Sequence, residues 1–314
     1  MKLSVIIPAL NEAAALPRLL DQLQAQQGVS LEIIVCDGGS SDNTAQLAER
    51  AGVALLRSAR GRGAQMNAGA GVARGEWLLF LHADSELPAN TLLHDALAEY
   101  ETARQAPVAR QLLAGHFALR FVREYGGHDY LFRYMEGKTR LSRPYTINGD
   151  QGLLIARADF HQLGGYDESL PFLEDQRLAA KIFAQGRWVL LPGPLLTSAR
   201  RFETEGHSAR YTLMAMLMGL HYAGIEEFFA LAPALYREQA SSAQLRLPPF
   251  HALARRVLAA RGRWRSLRAI GPFIRHNTWQ LFYAVDVARR AAALPALRWY
   301  EQHLERRLEN AFWD

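Results

Sequence analysis

The chain has 314 residues, of which 49% are hydrophobic and 21% are charged, and this composition is typical of a globular protein rather than a disordered one. Its single cysteine, Cys36, excludes an internal disulfide and agrees with the reducing cytosol. No apolar run in the sequence reaches the roughly 18 residues that a membrane-spanning helix needs, and the first apolar run is too short for a signal peptide. We therefore expect a cytoplasmic protein.

The net charge of +5 is distributed unevenly along the chain. Residues 236–314 hold fourteen arginines and six acidic residues, a net charge of +8, so residues 1–235 carry −3. This asymmetry predicts that the C-terminal part meets an anionic partner, such as a membrane surface or an acidic protein. Nucleic acid is not expected, because no recognised nucleic-acid-binding motif accompanies the charge.

Strands and helices alternate along the first half of the chain. Apolar and β-branched runs predict strands at residues 4–8, 31–36, 53–56 and 77–81. Helical spacing, caps and glycines predict helices from residue 16 to Gly28, over 42–51 and 62–73, and from Pro88 onward. The alternation predicts an α/β fold with a mainly parallel sheet covered by helices on both faces.

The second half is less regular. We predict strands at residues 112–122, 146–156 and 188–191, a helix over 174–185, and a polar loop region over 126–144. Beyond residue 210 the pattern is helical, with a linker at 245–249. The predicted domains are therefore a nucleotide-sugar transferase domain over 1–225 and a basic helical extension over 226–314.

Polar side chains follow three of the predicted strands. Residues 11–12, 37–40 and 82–84 each come directly after a strand end. Ligands of open α/β sheets bind beyond the carboxyl ends of the strands, so these residues are expected to share one rim.

Asp37 precedes two glycines at the end of the second strand. Its carboxylate suits hydrogen bonds from a nucleobase or ribose, and Gly39 would let the backbone approach the ligand closely. The alternative is an Asx turn leading into the helix at Asp42.

His82 and Asp84 stand two residues apart, so on extended backbone their side chains point the same way. An aspartate with a diphosphate suits Mg²⁺, and an imidazole tolerates Mn²⁺ better. The alternative is a core histidine and an aspartate that caps the following helix.

Three further groups of charged residues each allow two interpretations. Arg62, with Gln65 and Asn67 on the same predicted helix, suits a phosphate site or a solvated loop. The Glu174–Asp175 pair suits a general base with its neighbour, or ordinary acids in the first turn of a helix. The Arg200–Arg201 pair could stabilise a departing diphosphate or be surface charge.

The order and spacing of these motifs resemble the family 2 glycosyltransferases, which adopt the GT-A fold. The resemblance covers residues 3–202 and rests on an opening strand and loop at 4–12, a second signature at 37–44, the H-A-D of 82–84 in place of the metal motif D-x-D, and the E-D of 174–175. Within the family the chain looks closest to the bacterial radical SAM/selenodomain-associated transferase 2 subgroup, through H-A-D, the G-D-Q-G of 149–152 and the S-A-R-R of 198–201. The long C-terminal part lies outside that pattern.

The resemblance implies inverting transfer of a sugar from a nucleotide diphosphate sugar, with UDP as the expected nucleotide, to an acceptor that the sequence does not identify. It implies that Asp175 is the general base, assisted by Glu174, and that Mn²⁺ or Mg²⁺ binds Asp84 and His82. It implies a nucleotide site at Pro8, Ala9, Leu10, Asn11, Glu12, Asp37, Gly39, Arg62, Gln65, Asn67, His82, Ala83 and Asp84. It implies contacts to the acceptor or diphosphate from Gly149, Asp150, Gln151, Arg200 and Arg201.

One departure from the family pattern concerns the metal: the first acid of D-x-D is His82 here. That substitution keeps open a catalytically silent nucleotide-binding or scaffold protein. A sugar-nucleotide pyrophosphorylase is disfavoured, because residues 9–12 lack the glycine-rich loop that such enzymes carry after the first strand.

The C-terminal extension interleaves arginines with large apolar residues, which is the composition of a helix lying on a membrane surface. These residues are Trp264, Leu267, Ile270, Phe273, Ile274, Trp279, Leu281, Phe282 and Tyr283. The alternative is packing on the catalytic domain or self-association through the extension.

Overall fold

A seven-stranded sheet forms the centre of the first of two units in the computed structural model, which describes residues 2–106, 112–170, 173–238 and 244–310. The first unit comprises Met1–Arg123 and Glu136–Ser198, and the second comprises Glu124–Met135 and Ala199–Asp314. The predicted domain boundary after residue 225 falls inside the second unit, and as a division of function it stays a prediction.

The sheet is mainly parallel, as predicted. Its strands, in the order β3-β2-β1-β4-β6-β5-β7, are β1 (Lys2–Ala9), β2 (Ser30–Asp37), β3 (Ala54–Arg57), β4 (Trp77–Phe80), β5 (Leu112–Val122), β6 (Leu153–Ala156) and β7 (Gly186–Ser198). β6 runs antiparallel to both of its neighbours, and the other pairs are parallel. The amino end of β6 therefore lies at the edge where the parallel strands end.

Helices cover both faces of this sheet. They are α1 (Leu16–Gln24), α2 (Thr44–Arg50), α3 (Arg62–Val72), α4 (Leu92–Gln105), α6 (Arg157–Gln162) and α7 (Glu174–Gln185), whereas α5 (Asp129–Lys138) is divided between the two units after Met135. Successive residues of β1 alternate between two apolar cores, because side chains of a strand point to opposite faces. Val5 and Ile7 pack in the core that includes α1 and α4, and Ile6 packs in the core that includes α3 and α7.

The region predicted as one strand over 146–156 is a short 3₁₀ turn, Gly149–Gln151, followed by β6. The prediction of a continuous strand was wrong because Gly152 has a φ of +67°, which turns the chain before β6 begins. A side chain at Gly152 would also meet Leu81 and Leu195 at 3.2–3.3 Å.

Three other boundaries differ from the prediction. The region 126–144 is not all loop, because it contains α5, which buries Phe132, Tyr134 and Met135. α4 begins at Leu92, after a turn that follows Pro88. β7 extends to Ser198 because its Pro192–Pro194 segment lies at a shift in the register with β5, where a strand tolerates proline.

The second unit is helical, in agreement with the predicted helical extension. Its further helices are α8 (Arg200–Glu205), α9 (His207–Tyr222), α10 (Glu226–Glu238), α11 (Pro248–Arg261), α12 (Arg263–His276), α13 (Trp279–Ala288), α14 (Pro295–Tyr300) and α15 (Arg306–Asn310), with a π-helical turn at Glu301–Glu305. The predicted linker at 245–249 already contains the start of α11, and Leu245 donates its N–H to the carbonyl of Glu205. Residues 239–243 and 311–314 of the predicted extension lie outside the described residues.

Among the described helices of both units, none combines the length and the apolar character needed to cross a membrane.

Candidate active site

The loops after β1 and β2 are tied to each other. Asn11, with a φ of 57°, accepts a 2.8 Å hydrogen bond at Oδ1 from the N–H of Ser41 and donates its own N–H to Ser40 Oγ at 2.9 Å. The N–H of Glu12 donates to Thr44 Oγ1 at 2.8 Å. The predicted nucleotide residues of the two loops therefore lie side by side, as the parallel pairing of β1 with β2 requires.

Asp37 is buried at the end of β2 and accepts hydrogen bonds from both the N–H and the hydroxyl of Ser40. The carboxylate thus holds its own loop, as the turn interpretation of Asp37 requires, while Gly39 beside it is exposed with a φ of +89°. Nothing lies within 4 Å of where a side chain at Gly39 would start, so this part of the rim has room for a ligand.

Two amides on α3 that we predicted to contact nucleotide are engaged by the protein. Gln65 is buried, and its Nε2 donates to the carbonyls of Ala9 and Cys36 at 2.8 and 2.7 Å, which joins the ends of β1 and β2. Asn67 exchanges two 2.9 Å hydrogen bonds with the backbone of Tyr166. Both side chains support the rim from beneath. Of the other predicted loop residues, Pro8 and Ala9 are buried and Leu10 is half-buried.

Arg62 begins α3 and faces a group of acids. Its Nη1 lies 3.3 Å from Oε1 of Glu174, and about half of its side chain is exposed, against 3% for Glu174. Partial burial opposes the charge of Arg62, but Glu174 and three aspartates outweigh it and raise the pKa of Arg62. Those aspartates are Asp150, Asp175 and Asp84. The guanidinium therefore marks the point at which four of the predicted acids converge.

His82 is paired with Asp150 across the rim. Nδ1 of His82 lies 2.7 Å from Oδ1 of Asp150, and a side chain at Gly149 would start 3.1 Å from His82 Nε2. Ala83 is buried and Asp84 is exposed. The H-A-D motif and the G-D-Q-G motif thus meet at one place, because antiparallel β6 brings its amino end to the end of β4.

Asp175, near the start of α7, is held by the same turn. Its Oδ2 accepts a 2.6 Å hydrogen bond from the N–H of Gly149, and its Oδ1 accepts one of 2.9 Å from the N–H of Gln176. Gln176 is buried, and its Nε2 donates to the carbonyl of Ile147 at 2.8 Å. Asp175 itself is half-buried, so its carboxylate is both oriented and reachable.

Glu174 lies deeper than Asp175. Burial raises the pKa of Glu174, the Arg62 guanidinium opposes that rise, and Asp175 adds to it. Tyr166 lies buried beside the pair, and burial together with the two acids raises the pKa of its hydroxyl well above the ordinary value. The backbone before the pair is in the left-handed region at Leu173, with a φ of 63°. Of these two acids, Asp175 is therefore the one that a substrate can reach.

A small cavity adjoins Asp175 and is lined in part by Asn148, Gly149, Tyr166 and Trp188. Gln151 lies on the buried side of this turn, where its amide contacts His116 Nδ1 at 3.0 Å and the carbonyl of Thr146 at 2.6 Å. In this arrangement Gln151 supports the turn, and its predicted contact with acceptor or diphosphate stays a prediction.

Arg200 and Arg201 begin α8 in the second unit, whereas the other predicted site residues belong to the first. Their role at a diphosphate stays a prediction.

Three residues that were not predicted hold the site together in the structure: Tyr166, Gln176 and His116. Gln176 directly follows the E-D pair, and that adjacency is a signal that could have found it. His116 stands in an apolar run and gave no signal of its own, whereas Tyr166 lies between two glycines and two acids, a context that was not singled out.

The side chains at the rim suit a divalent cation that takes one carboxylate ligand from the protein. Asp84 is exposed at the rim, and Mg²⁺ or Mn²⁺ bound with phosphates needs only one or two carboxylates from the protein. Nδ1 of His82 already contacts Asp150, so Asp84 fits the ion better than His82 does. Within the described ranges no group of three or more His, Cys, Asp or Glu side chains is arranged to hold a metal by itself.

Comparisons with known proteins agree with this picture of the fold. The model of the family described as glycosyl transferase family 2 matches residues 4–148. A PGL/p-HBAD biosynthesis glycosyltransferase of Mycobacterium bovis is 40% identical over 108 residues, a match that covers 31% of this chain and 42% of the relative. The chain therefore spans less than half of the length of that relative.

Two solved structures share the fold. TarS residues 1–349 of S. aureus in complex with UDP superimposes with a TM-score of 0.52 at 20% identity, covering 99% of this chain and 91% of that one. The mannosyltransferase PcManGT of Pyrobaculum calidifontis, in complex with GDP-Man and Mn²⁺, gives 0.53 at 20%, covering 96% and 87%. At such identity the likeness shows the fold alone, and it confirms the predicted GT-A type α/β fold.

The predicted class of protein, a glycosyltransferase, is the class named by the matching family and by the Mycobacterium bovis relative. The finer resemblance to the radical SAM/selenodomain-associated subgroup stays a prediction. At the level of the family, residues 4–148 are similar to glycosyl transferase family 2.

Proposed function

We propose that the chain transfers a sugar from a nucleoside diphosphate sugar to an acceptor hydroxyl, with Asp175 as the general base. The observation that carries the proposal is the meeting of four segments from distant parts of the sequence. Arg62 contacts Glu174, Gly149 donates to Asp175, and Asp150 pairs with His82. Positive charge for a diphosphate and a reachable carboxylate are the two groups that such a transfer needs.

The donor would lie over the ends of β1, β2 and β4. Asn11, Glu12 and Gly39 would border the nucleoside, and UDP is the nucleotide we propose. The structures that share this fold hold UDP in one case and GDP-Man in the other, so the fold accommodates both bases. Arg62 at the start of α3 would meet phosphate oxygens, since a helix N-terminus and a guanidinium both favour anions.

A divalent cation, when bound, would neutralise charge on the diphosphate, and Asp84 is the residue we propose to hold it. The remaining chemistry belongs to this chain's own groups. Asp175 would take the proton of the acceptor hydroxyl, and the Gly149 N–H would fix the direction of its carboxylate. Attack from the side of Asp175, opposite the diphosphate, would invert the configuration at the anomeric carbon.

Glu174 would act through Arg62 rather than on the acceptor. Its buried carboxylate lies 3.3 Å from the guanidinium and holds it at the rim. Arg200 and Arg201 are further proposed contacts of the departing diphosphate. The cytoplasmic location stays a prediction, as does the attachment of the C-terminal extension to a membrane or to a second copy.

Binding of UDP tests the donor half of the proposal. In a thermal-unfolding assay with Mn²⁺, UDP at 100 times its Kd should add about 2.7 kcal/mol of stability, and AMP at the same concentration should add much less. If UDP and GDP both leave the unfolding midpoint unchanged at millimolar concentration, the donor site is wrong.

A further inference from the structure

Helix α12 of the second unit presents large apolar side chains to solvent. Trp264 is 77% exposed, Leu267 55% and Ile274 62%. Their spacing of three and seven residues puts them on one side of the helix, with Gly271 between them. Soluble proteins rarely leave contiguous apolar surface of this kind uncovered unless it serves an interaction.

The opposite side of α12 is packed within the second unit. The Phe273 ring stacks on Tyr222 at a centroid distance of 5.8 Å, and buried Ser266 donates its hydroxyl to the carbonyl of Leu258 at 3.0 Å. Trp279 of α13 is 1% exposed. The structure therefore separates the aromatic residues of the extension into buried ones and an outer face, which we define as Trp264, Leu267, Ile274 and the exposed arginines Arg265 and Arg268.

The two helices α11 and α12 carry side-chain charge of one sign. Residues 248–276, which form α11 and α12, contain seven arginines and no acidic residue. A second copy docking on the same face would set this stretch against an identical one, and like charges across an interface are costly. The charge therefore favours an anionic partner over self-association.

We propose that the outer face of α12 binds the surface of an anionic lipid bilayer. Trp264 and the aliphatic side chains would enter the region between headgroups and acyl chains, where tryptophan is favoured. Arg265 and Arg268 would meet the lipid phosphates, which attract each nearby basic residue. Nucleic acid would satisfy the arginines but would leave Leu267 and Ile274 without an apolar partner.

Sedimentation of the full chain with vesicles tests this proposal, and it needs no donor or acceptor, so it is independent of the proposed activity. The probes are vesicles of phosphatidylcholine alone and of phosphatidylcholine with one quarter phosphatidylglycerol. The chain should sediment with the anionic vesicles and not the neutral ones, and 0.5 M salt should release it. The triple variant Trp264→Gln, Leu267→Gln, Ile274→Gln should partition at least ten-fold less.

Leu231→Gln and Val72→Gln, at exposed apolar positions on α10 and α3, are the matched controls and should bind as the unchanged chain does. The double variant Arg265→Gln, Arg268→Gln should lose binding to anionic vesicles while its apolar face stays unchanged. This variant tests the proposal even if the triple variant folds poorly. The proposal is overturned if the unchanged chain ignores anionic vesicles at low salt, or if the triple variant binds them undiminished. Salt-sensitive binding to mixed-sequence DNA without vesicle binding, or a dimer that the triple variant abolishes, would overturn it as well.

Discussion

The backbone N–H of Gly149 donates a 2.6 Å hydrogen bond to Oδ2 of Asp175. The imidazole of His82 closes the other side of this turn, so that a side chain at Gly149 would start 3.1 Å from His82 Nε2 and 3.5 Å from Asp175 Oδ2. One turn therefore holds both the proposed base and the residue that replaces the first acid of the metal motif. Any change in the turn should affect both.

The variant Asp175→Asn should lower kcat by roughly 10² to 10⁴, because the amide cannot accept the acceptor proton. The affinity for UDP should change little, since the N–H of Gly149 can still donate to the amide oxygen. Steady-state rates and calorimetry on the same preparation measure the two effects. Glu99→Gln, at an exposed acid on α4, is the control. A variant that loses UDP binding instead would place Asp175 in the donor site.

Gly149→Ala should slow turnover by about ten-fold or more, because the added methyl must displace His82 or Asp175, and small misplacements of catalytic groups are costly. Gly71→Ala is a matched control, because nothing lies within 4 Å of a side chain at that position on α3. That change should leave the rate intact and stabilise the helix by up to about 1 kcal/mol. Equal rates for both variants would show that the turn does not orient the base.

Asp84→Asn should remove the gain in UDP affinity that Mn²⁺ gives, because the exposed carboxylate is the proposed ligand. His82→Gln should keep most of that gain, since His82 is engaged with Asp150. Titrations of UDP with Mn²⁺ and with chelator compare the two. If His82→Gln loses the Mn²⁺-dependent gain and Asp84→Asn keeps it, His82 is the metal ligand. If chelator does not change the affinity for UDP, no metal takes part in UDP binding.

Asp37→Ala should weaken UDP binding by roughly 1–3 kcal/mol, the range for a lost charged hydrogen bond. The carboxylate also holds Ser40, so part of this loss would come from the loop itself. Ser40→Ala separates the two contributions, because it removes one loop contact and leaves the carboxylate in place. Equal losses in both variants would mean that Asp37 acts on the loop alone.

The first unit should become less stable at acidic pH, in part because Glu32 becomes protonated. Burial opposes the charge of Glu32, but hydrogen bonds from Ser4 and Arg74 outweigh it and lower the pKa to about 2 from 4.5. A lowered pKa in the folded state stabilises the protein above pH 4.5, and this contribution is lost as the pH falls toward 2.

Urea unfolding of Glu32→Gln measures that contribution. The variant should be less stable at pH 7 by about 1–3 kcal/mol, and the difference should shrink at pH 3. A difference that stays constant between the two pH values would contradict the assigned pKa.

Much of the fold could be predicted from local patterns. The limits of β5 and α7 agree with the prediction because a long apolar run and an acidic first turn mark them clearly. α5 was missed because glycines and charged residues surround its few buried positions. The start of β6 at Leu153 depends on the left-handed turn at Gly152, which the sequence shows only as one glycine among several.

The site could be predicted less completely, because its contacts join residues far apart in the chain. The E-D pair and Arg62 were singled out, but the pairing of His82 with Asp150 depends on the antiparallel course of β6. The roles of Gln65 and Asn67 could not be predicted from the sequence either, because a side-chain amide can bind a ligand or a backbone carbonyl equally well.

The most direct test of the central claim is release of UDP from a panel of UDP-sugars, measured for the unchanged chain and for Asp175→Asn with Mn²⁺ and a mixture of acceptors. The account predicts release from at least one UDP-sugar by the unchanged chain and a loss of at least 100-fold in the variant, with UDP binding retained. If the unchanged chain binds UDP but releases none from any donor, or if Asp175→Asn releases it equally fast, the account of a transferase with Asp175 as its base is contradicted.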